Sequence, residues 1–191
     1  IIVVNDGSTD RTLETAHAYK VTVLTNGRNR GKGYALRRGF RYAKGSIIVT
    51  IDADGAHDPK DIPRMINPVF NGVDIVSGSR FLGSRKDFTS SLNRLGNFII
   101  NSIIMMLTGK HITDSQTGFR VIKREILEKL YLESVGYEIE AELTVKTLKN
   151  GFVFREKPIT CNKRMHHSSK LRVLYDGIKI LKAILKAKFH P

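Results

Sequence analysis

Tryptophan is absent from the 191-residue chain, and cysteine occurs only once, at Cys161. A single cysteine excludes an intrachain disulfide and fits a small residue in a reducing compartment. No stretch reaches the roughly 18 apolar residues that a membrane-spanning helix needs. With 41% hydrophobic and 26% charged residues, the composition is that of a globular protein rather than a disordered one.

Acidic residues are scarce relative to basic ones. There are 18 Asp and Glu against 32 Lys and Arg, which gives a formal net charge of +14. Such an excess favours a polyanionic partner: nucleic acid, an anionic membrane surface or phosphorylated substrates. No recognised nucleic-acid module accompanies the charge, and aromatic residues do not interleave with the basic cluster near the end of the chain. We therefore expect no nucleic-acid partner.

Apolar segments alternate in type along the first half of the chain. Short apolar runs predict strands at residues 1–4, 21–24, 46–51 and 73–77, and the stretches between them predict helices. This alternation predicts an α/β fold with a mostly parallel sheet and helices on both faces. Because the chain begins inside a strand and without methionine, we expect a segment before Ile1 to be missing.

Polar clusters follow three of these predicted strands. In open α/β sheets, ligands bind outside the carboxyl ends of the strands, so clusters at those ends share one edge. The three clusters are Asn5-Asp6-Gly7-Ser8, Asp52-Ala53-Asp54 and Gly78-Ser79-Arg80. Together they predict one ligand site.

Asp52 and Asp54 form the centre of this predicted site. Two carboxylates that follow a buried strand and lie two residues apart can converge on one divalent ion, Mg²⁺ or Mn²⁺, which in turn neutralises a diphosphate. The alternative is that both acids cap the next helix, but Asp58 and Asp61 already suit that role. His57 is a candidate further ligand or supporting group.

Three other positions near this edge suit a nucleotide. Asp6 is predicted either to accept hydrogen bonds from a base or ribose or simply to form an Asp-Gly turn. The segment Gly31-Lys32-Gly33 offers backbone N–H groups and an ammonium at a helix N-terminus, which suits phosphate, although it lacks P-loop or dinucleotide spacing. The Arg80 guanidinium also suits phosphate.

Five motifs now appear in order along nearly the whole chain, and their combination resembles family 2 glycosyltransferases of the GT-A, Rossmann-like fold. The set is more closely similar to dolichol-phosphate mannose synthases and related polyprenyl-phosphate glycosyltransferases. The motifs are Val4-Asn5-Asp6-Gly7-Ser8-Thr9-Asp10-Arg11-Thr12, Asn29-Arg30-Gly31-Lys32-Gly33, Asp52-Ala53-Asp54-Gly55-Ala56-His57, Gly78-Ser79-Arg80-Phe81 and Asp114-Ser115-Gln116-Thr117-Gly118-Phe119-Arg120.

The resemblance implies an inverting transfer of a hexose, most simply mannose or glucose, from a GDP- or UDP-sugar to a polyprenyl (dolichyl) phosphate. It implies that Asp52 and Asp54 hold the donor diphosphate through Mg²⁺ or Mn²⁺. The full donor-binding set that it implies is Asp6, Gly7, Lys32, Asp52, Ala53, Asp54 and Lys170.

The resemblance also implies an acceptor side. Arg80, Arg94 and Ser169 would bind the acceptor, and Asp114, Arg80 and Arg120 would be the catalytic residues. Glu138 and Glu140 would line or brace the pocket with Gly118 and Phe119, and Arg164 would belong to a late motif with Lys170 that closes on the diphosphate.

Two departures from the family pattern affect the implied donor site. A first strand with a Pro-x-Tyr-Asn-Glu type motif is absent, so we expect the N-terminal strand of the sheet to be missing. Relatives commonly have a metal-binding glutamine where this chain has Ala56. Alanine cannot coordinate, so His57, water or a donor oxygen would take that place, or the metal would bind more weakly.

The acceptor decides whether a base is needed. A polyprenyl phosphate is already anionic near neutral pH, so no general base is required, whereas a hydroxyl acceptor would make Asp114 the candidate base. A family 2 enzyme with a hydroxyl acceptor and a non-catalytic relative therefore stay open as alternatives. A nucleotidyltransferase is a third, though it would need a glycine-rich basic signature on a first strand.

Two helical segments bear on membranes. Residues 92–107 predict an apolar helix with an asparagine stripe, either interfacial or buried in the core. Residues 166–191 predict a basic amphipathic helix that follows a catalytic domain over 1–165, with an apolar stripe of Leu171, Leu174, Ile178, Leu181 and Leu185. Such a helix favours an anionic membrane surface, unless its apolar side packs on the domain. We thus expect a membrane-associated protein on the cytoplasmic face.

Overall fold

The computed structural model describes residues 1–83, 90–162 and 173–189. Its strands and helices alternate in the predicted order. The elements are β1 Ile2–Asp6, α1 Thr12–His17, β2 Thr22–Asn26, α2 Lys32–Tyr42, β3 Ile47–Thr50, a 3₁₀ turn at Pro59–Asp61, α3 Ile62–Phe70, β4 Ile75–Ser79, α4 Ser91–Thr108, β5 Arg120–Lys123, α5 Arg124–Lys129, α6 Ile139–Lys149, β6 Phe154–Pro158 and α7 Val173–Phe189.

The strands form two sheets with helices on both sides, which confirms the α/β class. In the first sheet, β1 pairs in parallel with β2. The second has the order β3-β5-β4-β6, in which β5 runs antiparallel to both neighbours and β4 runs parallel to β6. The second sheet is therefore mixed rather than mostly parallel. Apolar periodicity reports burial and not direction, so the reversal of β5 has no signature in the pattern.

α6 is the most enclosed helix in the described structure. Every residue from 139 to 147 is buried, including Glu140, Glu142 and Lys146. Its apolar side chains contribute to two core clusters, one against β4, β5 and α5 and one against α4 and α7. A buried helix between two layers places its charged residues directly behind the strand ends.

α7 packs on α4 and α6 through a different stripe from the one predicted. Ile180, Ile184 and Ala187 are at most 2% exposed. Of the predicted stripe, Ile178 and Leu185 remain exposed, as does Leu181, while Leu171 lies outside the described residues and the side chain of Leu174 is not described. Both stripes have helical spacing, and only the tertiary contacts decide which one is buried.

α4 buries two asparagines together with Ile104 and exposes several other apolar residues. Asn97 and Asn101 are buried, and their amide groups donate to the Thr113 carbonyl at 3.2 and 2.8 Å. Phe98 and Met106, by contrast, are 67% and 82% exposed. Across the described ranges, no helix is both long and apolar enough to cross a membrane.

Candidate functional site

The carboxyl ends of β1, β3 and β4 supply the predicted polar groups, and the N-terminus of α2 connects the first two. The Asp6 carboxylate, at the end of β1, accepts from the backbone N–H of Arg30 at 2.9 Å, from that of Gly31 at 2.7 Å and from Asn26 Nδ2 at 2.7 Å. Asp6 therefore fixes the loop that places Lys32. A nucleoside, the predicted partner of Asp6, could therefore bind only to carboxylate lone pairs that do not already accept from Asn26, Arg30 or Gly31.

Gly7 allows this loop to approach β1. Its φ is +71°, and a Cβ there would lie 2.6 Å from backbone atoms of Arg28 and Asn29. A side chain at this position would displace the loop and strain the backbone. The predicted role of Gly7 on the donor side is thus one of space and conformation.

Several backbone N–H groups of the glycine-rich loop, which the sequence predicted to suit phosphate, are engaged within the protein: those of Arg30 and Gly31 by Asp6, and those of Gly33 and Tyr34 by a second loop. Gly33 N donates to the Gly136 carbonyl and Tyr34 N to that of Val135, both at 3.1 Å. A Cβ on Gly33 would lie 2.4 Å from the Ser134 carbonyl oxygen. The glycines therefore let a second loop pack closely, and the functional group of this segment is the Lys32 ammonium.

Lys32 connects the loop to the carboxylate that follows β3. Its Nζ lies 2.9 Å from Asp52 Oδ1, 3.2 Å from Asp52 Oδ2 and 3.1 Å from Glu140 Oε1. Burial alone would lower the pKa of Lys32, but the two carboxylates outweigh it and raise the pKa above its usual value, so the ammonium stays protonated. Asp52 also lies against Gly118, where a Cβ would come within 2.5 Å of Oδ2.

Asp54 lies beside Asp52 with Ala53 exposed between them. One carboxylate oxygen of Asp54 accepts from Ala56 N at 3.0 Å and closes the turn. Nowhere in the described residues do three His, Cys, Asp or Glu side chains group closely enough to hold a metal ion by themselves. Among the described residues, Asp52 and Asp54 are the two hard carboxylates that could hold a divalent cation at this edge.

His57 is buried and adjoins the same cluster. Burial lowers its pKa, with Asp52 opposing the shift and Arg80 adding to it, so the imidazole is neutral near pH 7. Its ring packs 5.7 Å from the Phe119 ring, and its Nδ1 has no hydrogen-bond partner among the described residues. His57 does not join Asp52 and Asp54 as a third metal ligand in this arrangement.

Arg80 and Asp114 form a closed ion pair at the end of β4. Arg80 donates from Nε to Oδ2 at 2.7 Å and from Nη2 to Oδ1 at 2.9 Å, and its backbone N–H lies 3.1 Å from Oδ2. Asp114 is fully buried, whereas the Arg80 side chain is 22% exposed. Burial opposes the charge of Arg80, but Asp114 outweighs it and raises the pKa of Arg80. Both carboxylate oxygens of Asp114 are therefore engaged by Arg80.

Arg120 is buried behind the site, and its catalytic role stays a prediction. The residue is 1% exposed and donates to the carbonyl oxygens of Ser115 at 2.8 Å, Thr117 at 3.2 Å and Glu140 at 3.0 Å. Its Nε also lies 3.0 Å from Glu140 Oε2. Arg120 therefore stabilises the turn that carries Asp114 and Gly118.

Glu156 is a site residue that the sequence did not reveal. From β6, its two carboxylate oxygens accept the backbone N–H groups of Thr113 and Asp114, each at 2.8 Å. Glu156 and Arg120 thus stabilise the same turn from opposite ends, one through N–H groups and one through carbonyls. The only available signal was an acid within a predicted strand, which does not specify a partner 42 residues away.

Arg94 lines a cavity of about 390 Å³ between α4 and the segment before Asp114. Apolar and polar groups alternate around it: Phe81, Asn97, Phe98, Met105 and His111. The ring of Phe81, which lines the same cavity as Arg94, lies 5.9 Å from the guanidinium carbon of the other predicted acceptor residue, Arg80. The predicted partners Ser169, Lys170 and Arg164 lie outside the described residues.

The fold and the polar groups at its strand ends define a class, the α/β proteins with a ligand site at the carboxyl edge of the sheet, and sequence comparison identifies the family. Residues 1–131 match the model of glycosyl transferase family 2. The chain belongs to this family and is a glycosyltransferase, which confirms the resemblance inferred from the motifs.

Several relatives extend this assignment over most of the chain. Protein MJ1222 of Methanocaldococcus jannaschii is 37% identical over 98% of this chain and 80% of its own length. The polyprenol monophosphomannose synthase of Mycolicibacterium smegmatis is 34% identical over 97% and 74%. The dolichol-phosphate mannosyltransferase of Pyrococcus furiosus is 33% identical over 90% of this chain, which spans only 50% of that protein.

Solved structures support the fold. Glucosyl-3-phosphoglycerate synthase from Mycobacterium tuberculosis, in complex with Mn²⁺, UDP and phosphoglyceric acid, superimposes with a TM-score of 0.79 at 22% identity. The match covers 100% of this chain and 68% of that one. At this identity the likeness establishes the GT-A fold alone.

Proposed function

We propose that this chain is the catalytic part of an inverting hexosyltransferase that moves mannose or glucose from a GDP- or UDP-sugar to a polyprenyl phosphate. The observation that carries the proposal is the closed pair of Arg80 and the fully buried Asp114. The carboxylate that would serve as base for a hydroxyl acceptor is engaged by a guanidinium. An acceptor that is already anionic needs no such base.

Donor binding rests on Asp52 and Asp54. Two hard carboxylates, with no third ligand grouped beside them in the described residues, suit a divalent ion, Mg²⁺ or Mn²⁺, whose other ligands would be diphosphate oxygens and water. The synthase of similar fold was crystallised with Mn²⁺ and UDP, which supports this choice. When bound, the ion would offset the charge that develops on the leaving diphosphate.

The protein's own cations complete the site chemically. The bond between the anomeric carbon and the donor phosphate breaks, an acceptor phosphate oxygen forms the new bond from the opposite face, and the nucleoside diphosphate leaves. Lys32 lies beside the carboxylate that would hold the diphosphate. Arg80, at the end of β4, carries a partly exposed guanidinium whose charge suits an incoming acceptor phosphate.

The exposed apolar side of α4 supports a membrane-surface location for the acceptor. Leu95, Phe98 and Met106 are at least 56% exposed, next to the cavity that Arg94 lines. α7 adds exposed apolar residues between lysines. A lipid surface would cover the apolar groups while lysines approach anionic headgroups. We propose that this surface is on the cytoplasmic side.

The membrane proposal has a direct test in vesicle flotation. Phe98→Ser should reduce binding to anionic vesicles, whereas Phe70→Ser on α3 should not, although Phe70 is 74% exposed. Equal binding by both variants, or no binding by the unchanged protein at low salt, would reject the proposed surface. The boundary between 1–165 and 166–191 lies outside the described residues and stays a prediction.

The transfer reaction is tested with a matrix of substrates. GDP-mannose, GDP-glucose, UDP-mannose and UDP-glucose are each incubated with polyprenyl phosphate or with phosphoglyceric acid, in Mn²⁺ or Mg²⁺. We expect one donor to yield a glycosylated lipid phosphate. Asp114→Asn should then retain the ability to use the phosphate acceptor. Transfer to the hydroxyl acceptor alone would instead support a base-dependent enzyme, and no transfer or donor hydrolysis would contradict the enzyme proposal.

A further inference from the structure

The Lys32 ammonium forms an ion pair with the Asp52 carboxylate, which the metal ion of the proposed donor site would also need. The ammonium contacts both oxygens of Asp52, at 2.9 and 3.2 Å. The Lys32 side chain is 21% exposed and that of Asp52 is 32% exposed, so water screens the pair only partly. A divalent cation that binds Asp52 must therefore either displace the ammonium or share the carboxylate with it.

Glu140 gives the displaced ammonium a second partner. Its Oε1 lies 3.1 Å from Lys32 Nζ, and its side chain is only 4% exposed. The other oxygen, Oε2, lies 3.0 Å from the Nε of the buried Arg120. Because Arg120 holds it, Glu140 stays in place while the Lys32 ammonium changes partner.

The formal charges around Lys32 bear on such an exchange. Asp52, Lys32, Glu140 and Arg120 sum to zero without metal. A divalent ion at Asp52 repels the ammonium, and Glu140 lowers the cost of that repulsion by keeping Lys32 neutralised behind the site. An incoming diphosphate adds negative charge that the same ammonium can approach.

We propose that Lys32 is a resident cation that neutralises Asp52 before the donor binds, and that Glu140 is the positioning residue that retains this ammonium when a divalent ion takes Asp52. The proposal rests on the proposed donor site at Asp52 and Asp54. It predicts that Lys32 weakens the binding of the metal alone and strengthens the binding of the diphosphate. If Lys32 had only a structural role, its removal would not change metal binding and diphosphate binding in opposite directions.

Two substitutions should shift Mn²⁺ affinity in opposite directions. Lys32→Met should tighten binding of Mn²⁺ alone by about three- to tenfold, the size expected for one half-screened ion pair. The same variant should bind GDP and UDP more weakly in the presence of Mn²⁺. Glu140→Gln should weaken Mn²⁺ binding. Of the two carboxylates that contact Lys32, only Asp52 then remains, so the ammonium competes more strongly with the ion for Asp52.

The measurement is a titration of the full chain with Mn²⁺, in which electron paramagnetic resonance counts the free ion and no turnover is required. Lys123→Met is the matched control. It removes the same charge from another partly exposed ion pair, Lys123–Asp74, with a contact of 2.8 Å and side-chain exposures of 24% and 17%. Lys123→Met should leave Mn²⁺ affinity unchanged. Thermal melts establish that each variant is folded.

The double variant Lys32→Met/Glu140→Gln tests whether Glu140 acts through Lys32. We expect its Mn²⁺ affinity to match that of Lys32→Met, because the ammonium that Glu140 positions is gone. If Glu140→Gln does not fold, Lys32→Met alone decides. Unchanged or weaker Mn²⁺ binding by Lys32→Met, or no Mn²⁺ binding by either protein, would overturn the proposal. If the Mn²⁺ affinities shift as expected but no transfer is detected, the proposed reaction is rejected. The proposal that Lys32 is a resident cation at Asp52 is then still supported.

Discussion

Removing the carboxylate of Glu156 should destabilise the turn that carries Asp114, by an amount that follows from its two contacts. Glu156 accepts two backbone N–H groups at 2.8 Å, those of Thr113 and Asp114. Hydrogen bonds to a charged acceptor contribute about 1.5–3 kcal/mol each. Glu156→Leu loses both and should lower the free energy of unfolding by about 3–6 kcal/mol. Glu156→Gln keeps one acceptor oxygen and should cost about 1.5–3 kcal/mol.

Equilibrium unfolding in urea measures this difference directly. Arg155→Leu is the control, because Arg155 is the exposed neighbour of Glu156 on β6, and it should change the free energy by less than about 0.5 kcal/mol. In transfer assays, Glu156→Gln should raise the KM for the acceptor while donor binding stays unchanged. Equal losses in the Leu and Gln variants, or a loss below about 1 kcal/mol in Glu156→Leu, would refute the reasoning.

Three further predictions follow from packing and burial. Gly33→Ala should destabilise the protein by at least about 2 kcal/mol in urea because its Cβ would lie 2.4 Å from a backbone carbonyl oxygen, whereas Gly27→Ala, with open space, should not. Ile184→Ala on α7 should cost about 2–4 kcal/mol and Leu185→Ala, 42% exposed, under about 1; the reverse order would contradict the helix orientation. Burial raises the pKa of Cys161 to about 11 from 9.0, so native protein at pH 8 should be alkylated by iodoacetamide about 100-fold more slowly than unfolded protein, and equal rates would refute its burial.

The sequence predicted the elements that depend on local pattern. Apolar runs and their polar ends identified β1, β3 and β4 with the acids that follow them, and Asp52 and Asp54 indeed end one of these strands. These features depend on periodicity and on the general position of ligands at strand ends, which neighbouring residues encode. The family assignment rested on the same motifs and is confirmed.

Tertiary partners were beyond the reach of local pattern. Nothing near Lys32 in sequence indicates that its ammonium meets Glu140, 108 positions later, or that Gly33 packs under the loop at 134–136. The burial of Arg120 against Glu140 was not predicted for the same reason, because a charge beside a motif fits a buried brace as well as a catalytic group. α7 carries two stripes of helical spacing, and only packing on α4 and α6 selects one.

The central claim is transfer of a hexose to a lipid phosphate at the Asp52 site. Its most direct measurement is the formation of organic-soluble radioactivity from labelled nucleotide sugar and polyprenyl phosphate, with the protein and its Asp52→Asn variant compared in Mn²⁺. We predict labelled lipid with the unchanged protein, none without the cation and a loss of at least about 100-fold in the variant. Transfer that is independent of Asp52, or labelled product with a hydroxyl acceptor and none with the lipid phosphate, would contradict the account.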